Sequence, residues 1–151
     1  MRITLPYGIR YGVGGRIETV PVVHIRVQTS SRGRSSAPGI FVIDSGATTS
    51  LLPASDAKIL GLDITRGERI VVRSATGHTG IGYRQHVDMI IENLTLYSVP
   101  AIFMEGDEIP RVLGREGVFT YFGIIFDEAR RRSGFFDAKK ERQLLDSLFS
   151  S

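Results

Sequence analysis

Asp44 is the residue whose surroundings most favour chemistry. It follows the apolar run Phe41-Val42-Ile43 and precedes Ser45-Gly46-Ala47-Thr48-Thr49. Three apolar residues carry a carboxylate to the end of a buried strand, where an ionised Asp is costly unless it is hydrogen-bonded or functional. Gly46 lets backbone approach that carboxylate closely and donate N–H bonds to it. Ser45 sets a hydroxyl beside it that can brace the turn. Ala47 is small and leaves room for a substrate chain. The plainer reading is an Asp-Ser-Gly turn that merely ends a strand. Average residue usage produces Asp-[Ser/Thr]-Gly-[Ala/Ser] by chance in about one chain in a hundred of this size, and the three preceding apolar residues lower that to about one in several thousand.

Other groups carry less. His24, His78 and His86 match no zinc spacing and lack a carboxylate in a helical frame, so no metal site is expected. Gly12-Val13-Gly14-Gly15 lacks the Lys-Ser/Thr of a phosphate loop and reads as a turn. Asn93-Leu94-Thr95 matches a glycosylation sequon but accompanies no secretory signal. The net charge is +3, and residues 111–142 hold eight Lys/Arg against five Asp/Glu, so the whole surplus lies there, centred on Arg130, Arg131 and Arg132. Three arginines without a stripe or a nucleic-acid motif read as a solvated turn, and no nucleic-acid partner is expected.

The elements that must position Asp44 are mostly strands. The 151 residues, 42% hydrophobic and 23% charged, suit one globular domain with a real core. There is no Cys, which excludes disulfides. No apolar run approaches the roughly 20 residues of a membrane helix, so no membrane association is expected, and a cytoplasmic location follows. Residues 19–28 read as a strand with Pro21 near its start, and 30–38 as a mobile Ser/Arg/Gly loop. Residues 39–43 look like a strand buried on both faces. Residues 53–60 suit a short helix capped by Ser55 or Asp56 and stopped by Gly61. Residues 68–74 and 81–91 look like strands flanking the tip Ala75-Thr76-Gly77-His78-Thr79-Gly80. Residues 94–104, interrupted by Pro100, and 118–126 supply further strand. Ser133-Gly134 marks a turn, and 137–148 an amphipathic helix. Its apolar residues, with Phe135 and Phe136, are expected to pack on the domain or in a dimer interface.

The Asp44 segment resembles the active-site signature of aspartic proteases, two apolar residues followed by Asp-Ser/Thr-Gly-Ala/Ser. The chain looks like the retropepsin-like branch, including its retroviral, gag-type and bacterial members, in which each subunit brings one such motif. Val112-Leu113-Gly114-Arg115 resembles the second family element, two apolar residues then Gly-Arg, which packs beneath the active-site loop. The tip at residues 75–80 lies between the two, where the family keeps its flap. The resemblance spans residues 20–126 and implies an all-β closed barrel with a short internal helix and a C-terminal helix. It implies one domain over 1–151, with a core at 19–127 and a helical extension at 136–149.

The resemblance also implies function: hydrolysis of a polypeptide substrate by a homodimer, with a water held between two Asp44 carboxylates and no cofactor. Ser45, Gly46 and Ala47 would form the active-site loop, the 75–80 tip would cover the substrate, and Val112, Leu113, Gly114 and Arg115 would support the loop. The competing expectation is a non-catalytic peptide-binding or oligomerisation module of the same fold. Two departures stand out. Retroviral members often place an acidic residue just after the Gly-Ala pair, where it meets the downstream Arg. Here those positions are Thr48 and Thr49, so Arg115 needs another partner or meets the substrate. The chain also ends in a helix, whereas retroviral subunits dimerise through short terminal strands.

Overall fold

The computed structural model describes residues 2–29, 38–74 and 77–150. The expected mobile loop at 30–38 lies outside these except for Pro38, as do Ala75 and Thr76 of the expected tip.

Six strands close a mixed barrel: β4 (Val22–Gln28), β5 (Gly39–Ile43), β6 (Ser50–Pro53), β8 (Thr79–Ile91), β9 (Leu94–Met104) and β10 (Val112–Leu113). Their order is β4-β5-β10-β6-β9-β8, and β8 returns to pair with β4. Pairings β5–β10 and β6–β9 are parallel and the others antiparallel. Strand alternation builds the core. In β4, Val23, Ile25 and Val27 point inward while His24 and Arg26 face out. Phe41, Leu52, Val87, Met89, Phe103 and Leu113 complete it.

β5 departs from the expectation of burial on both faces, since Ile40 is 55% exposed. Its outer face is left uncovered at Ile40, opposite His24. β9 runs through Pro100 instead of breaking there. β6 joins β9 only from Ala101 onward, so Pro100 sits one residue before that ladder begins. Opposite, a bulge between Val87 and Met89 turns the buried Asp88 carboxylate toward the N–H of Ser98, 2.9 Å away.

Helix α1 (Ala54–Leu60) starts earlier than a cap at Ser55 or Asp56 would set it: Pro53 is the N-cap, and neither Ser55 nor Asp56 caps it. Asp56 is instead buried and takes both Nε and Nη2 of Arg111 at 2.7 Å. Gly61 ends the helix in the left-handed region, φ 69°, as expected.

Strand β7 (Glu68–Arg73) pairs only with the first half of β8, forming a hairpin that extends beyond the barrel. A second sheet, β1 (Arg2–Pro6), β12 (Arg132–Asp137) and β11 (Phe122–Asp127), joins the two ends of the chain. Ile3, Leu5 and Ile124 pack on the core, and Phe122 meets Phe135 edge-on at 5.4 Å. Three expectations fail here. Residues 118–121 are turn, not strand, because Val118 enters the core through a turn closed by its own N–H to Arg115 O. Ser133-Gly134 lies in β12, not in a turn; the reversal is Glu128–Arg130, closed by Arg131 at φ 48°. The C-terminal helix α2 is Arg142–Phe149 alone, with Phe135 and Phe136 in β12. α2 lies on β11 through Leu145, which fills the space a side chain at Gly123 would need, while Phe149 stays exposed.

A small third sheet pairs β2 (Gly8–Tyr11) with β3 (Ile17–Val20). The 12–15 segment turns between them, as expected.

Candidate active site

β5 ends at Ile43, and its ladder carries on one residue: Asp44 N–H donates to Leu113 O at 3.1 Å. The chain then turns sharply. Gly46 N–H donates to Asp44 Oδ1 at 2.8 Å, and Ala47 N–H to Asp44 O at 3.2 Å. A side chain on Gly46 would stand 3.1 Å from that carboxylate oxygen, so glycine is what permits the approach. Asp44, Ser45 and Gly46 are exposed and Ala47 is half-buried. The carboxylate thus stands at the barrel's surface, held on one oxygen by backbone.

The Val112-Leu113-Gly114-Arg115 segment lies directly against this loop. Leu113 is fully buried. Gly114 N–H donates to the Oγ of buried Ser50 at 3.0 Å. A Cβ at Gly114 would stand 2.5 Å from Thr49 C and 2.7 Å from Thr49 O, so only glycine fits. Arg115 N–H donates to Ala47 O at 3.0 Å and Glu116 N–H to Thr48 O at 2.8 Å. The loop is therefore stapled by backbone at Asp44, Ala47 and Thr48.

Side chains answer the question left by Thr48 and Thr49. Arg115 Nη2 donates to Thr48 Oγ1 across 3.4 Å. The carboxylate of this network sits on the downstream segment: Glu116 Oε2 accepts from Thr49 Oγ1 at 3.0 Å, and Oε1 from Arg84 Nη2 at 2.6 Å. Arg84 pairs with Glu68 at the base of the β7–β8 hairpin. Glu116 thus ties the hairpin base to the end of the Asp44 loop. Sequence reasoning missed Glu116, Arg84, Thr49 and Ser50 as supports. The available signal was the acidic residue directly after Gly114-Arg115.

At the hairpin tip, Ser74 N–H donates to His78 O at 2.8 Å, Gly77 N–H to Ser74 O at 3.0 Å, and His78 N–H to Ser74 Oγ at 3.1 Å. Gly77 has φ 87° with open space around it. Thr79 and Gly80 lie in β8, and Gly80 faces Met104, whose Cε would be 2.8 Å from an added Cβ. Its glycine character serves close packing, not the turn. His24 and His86 lie on β4 and β8, away from the tip, and among the described residues no three His, Asp or Glu side chains gather. The three arginines are tied within the chain: Arg132 and Arg130 to Asp127, at 2.8 and 3.5 Å, and Arg131 to Thr19. Among the described residues no helix is long and apolar enough to cross a membrane.

A closed barrel with one Asp-Ser-Gly loop at a strand end, a glycine-arginine segment stapled to it and a hairpin tied to its end defines a class: the retropepsin-like fold. A family model described as aspartyl protease matches residues 27–116, which include both segments. The chain belongs to the aspartyl protease family. Its fold is similar to that of a retropepsin-like aspartic protease from Rickettsia conorii, at 17% identity, covering 89% of each chain with a TM-score of 0.59. Looser similarities are to the EIAV protease complexed with the inhibitor HBY-793, at 16% identity over 70% of this chain and 88% of that one, TM-score 0.44. The retroviral protease-like domain of Ddi1 from Leishmania major matches at 14% identity over 73% and 84%, TM-score 0.47. A search of curated protein sequences found no match.

Proposed function

We propose that the chain is an aspartic endopeptidase that acts as a homodimer, with Asp44 of each copy forming the catalytic pair and residues 1–151 forming one protease domain. The observation that carries this reading is the Asp44 carboxylate itself, exposed at the end of β5 on a loop pinned by backbone at three points. One chain supplies one such loop, so a second copy completes the site.

Two carboxylates brought within about 3 Å cannot both ionise easily, so they share one proton. The ionised member takes a proton from a water lying between them. The protonated member donates to the scissile carbonyl oxygen. Water oxygen adds to the carbonyl carbon and gives a tetrahedral diol, with no covalent bond to the enzyme. Gly46 N–H keeps Asp44 aligned through both steps. The substrate would lie extended beneath the β7–β8 hairpin, with Gly77, His78, Thr79 and Gly80, together with Ala75 and Thr76, closing over it.

Activity should then depend on protein concentration. The expected outcome is cleavage of denatured casein with a specific activity that falls on dilution as the dimer dissociates, followed in parallel by analytical ultracentrifugation. A constant specific activity from a chain that sediments as a monomer contradicts the paired site.

A further inference from the structure

The β2–β3 hairpin, inserted between β1 and the barrel, has no role in the site as described. Its two strands pair Ile9 with Thr19 and Tyr11 with Ile17, so these four side chains share one face. Ile9 is 70% exposed, Tyr11 79% and Ile17 67%. The other face carries Arg10 and Glu18, joined at 2.9 Å, and Gly8, which abuts Val22. The arm is therefore two-sided, with the Arg10–Glu18 pair on one side and Ile9, Tyr11 and Ile17 on the other; among the described residues the apolar side meets Arg131 at Thr19 and borders a groove shared by Ile9, Leu5, Val22 and Ile40. A two-stranded hairpin exposed on both faces is marginal in water.

Where the arm is rooted matters more than its composition. β3 ends at Val20, and the next residue, Pro21, accepts the N–H of Ile43 at 2.9 Å. Ile43 immediately precedes Asp44. If two Asp44 carboxylates meet, the two-fold axis runs between them, and a segment bonded to Ile43 lies beside that axis. Three residues of strand carry the arm about 10 Å from its root. Tyr7 N–H donates to Arg131 O at 2.9 Å, which fixes the arm's second root. The arm is anchored at both ends, and its apolar side chains are largely exposed among the described residues.

We propose that the apolar face of the β2–β3 arm, formed by Ile9, Tyr11 and Ile17, packs on a second copy of this chain and helps hold the two Asp44 loops together. This rests on the paired-Asp44 reading. The area is sufficient. On the scale of a fully buried aromatic side chain, the three residues present roughly 400 Å² per arm. Two arms and the surfaces they cover would bury roughly 1,600 Å², the size of a standard stable interface. The contact is isologous, as a two-fold dimer requires. It also supplies an interface for a chain whose end strand β12 is already paired on both sides within its own sheet.

The test replaces Ile9, Tyr11 and Ile17 together by Ser, with Tyr11→Ser alone as a milder variant should the triple variant fail to fold. Tyr97→Ser is the control. Tyr97 is 73% exposed but lies on β9 near the Glu92 turn. There Ile91 pairs with Ile25, which pairs with Gly39, at the far end of β5 from Asp44. Sedimentation equilibrium and casein cleavage are measured over a hundredfold range of protein concentration. The expected result is a wild-type dimer and an unaffected Tyr97→Ser. The arm variants keep the wild-type circular dichroism spectrum but have a dimer dissociation constant raised tenfold or more. Their lost activity returns as concentration rises. Arm variants as dimeric and as active as wild type overturn the arm while leaving the Asp44 pair standing. A wild-type chain that remains monomeric throughout overturns the pair, and the arm with it.

Discussion

Gly114 illustrates how a single residue sets the geometry of the candidate site. Its α-carbon lies so near the Thr49 carbonyl that any side chain would meet backbone, which has no rotamer to escape into. Gly114→Ala must push the loop holding Asp44 away from its staple. The expected loss is about 1–3 kcal/mol, the range for overpacking a filled site, read as a fall of several degrees in melting temperature. A variant that melts like wild type would mean the loop is looser than these contacts imply. Asp44, Gly46 and Gly114 were legible in the sequence because their significance is local: an acid at a strand end, a glycine two residues on, and a glycine after two apolar residues. Glu116 was not, since its partners Thr49 and Arg84 lie 67 and 32 residues away. Nothing in a linear pattern brings those side chains together.

At the scale of elements, the barrel strands were legible where alternation marks an inner face, as in β4. The errors came where an element's meaning depends on distant pairing. Ser133-Gly134 has the composition of a turn but pairs with Leu5 and Thr4 on one side and with Phe126 and Ile125 on the other. The partner β1 is contributed by the opposite end of the chain. Strand β10 is only two residues long, yet it joins β5 to β6. Leu113→Asp should therefore abolish folding. A charge at a fully buried position with no partner costs several kcal/mol, comparable to the stability of a whole domain. Circular dichroism should show an unfolded chain; a normal cooperative melt would remove β10 from its supporting role. Arg111 belongs to the same locus. Its guanidinium pKa is raised chiefly by the hydrogen bond to Asp56, and the pair clamps α1 to the segment leading into β10.

Across the whole molecule, the two chain ends meet in one sheet, and three carboxylates in or beside it are tuned alike. Asp127 is held below its ordinary pKa first by the Arg132 side chain, Asp137 by the Lys140 N–H, and Glu141 by the Arg2 guanidinium. A carboxylate with a depressed folded pKa stabilises the protein above its unfolded value of about 4, and that contribution is lost as pH falls through the folded value. The melting temperature should therefore decline below about pH 4, and Arg2→Gln should lessen the decline by removing the main cause at Glu141. A melting temperature level from pH 5 to pH 2.5 would show that these contacts do not contribute in solution. Asp44→Asn is nearly isosteric, so it should fold and melt as wild type does while losing the carboxylate proposed to accept the water proton. Wild type and Asp44→Asn, incubated side by side with denatured casein from acidic to neutral pH, should differ completely: peptides released by the first and none by the second. Equal cleavage by both proteins would exclude Asp44 as the catalyst.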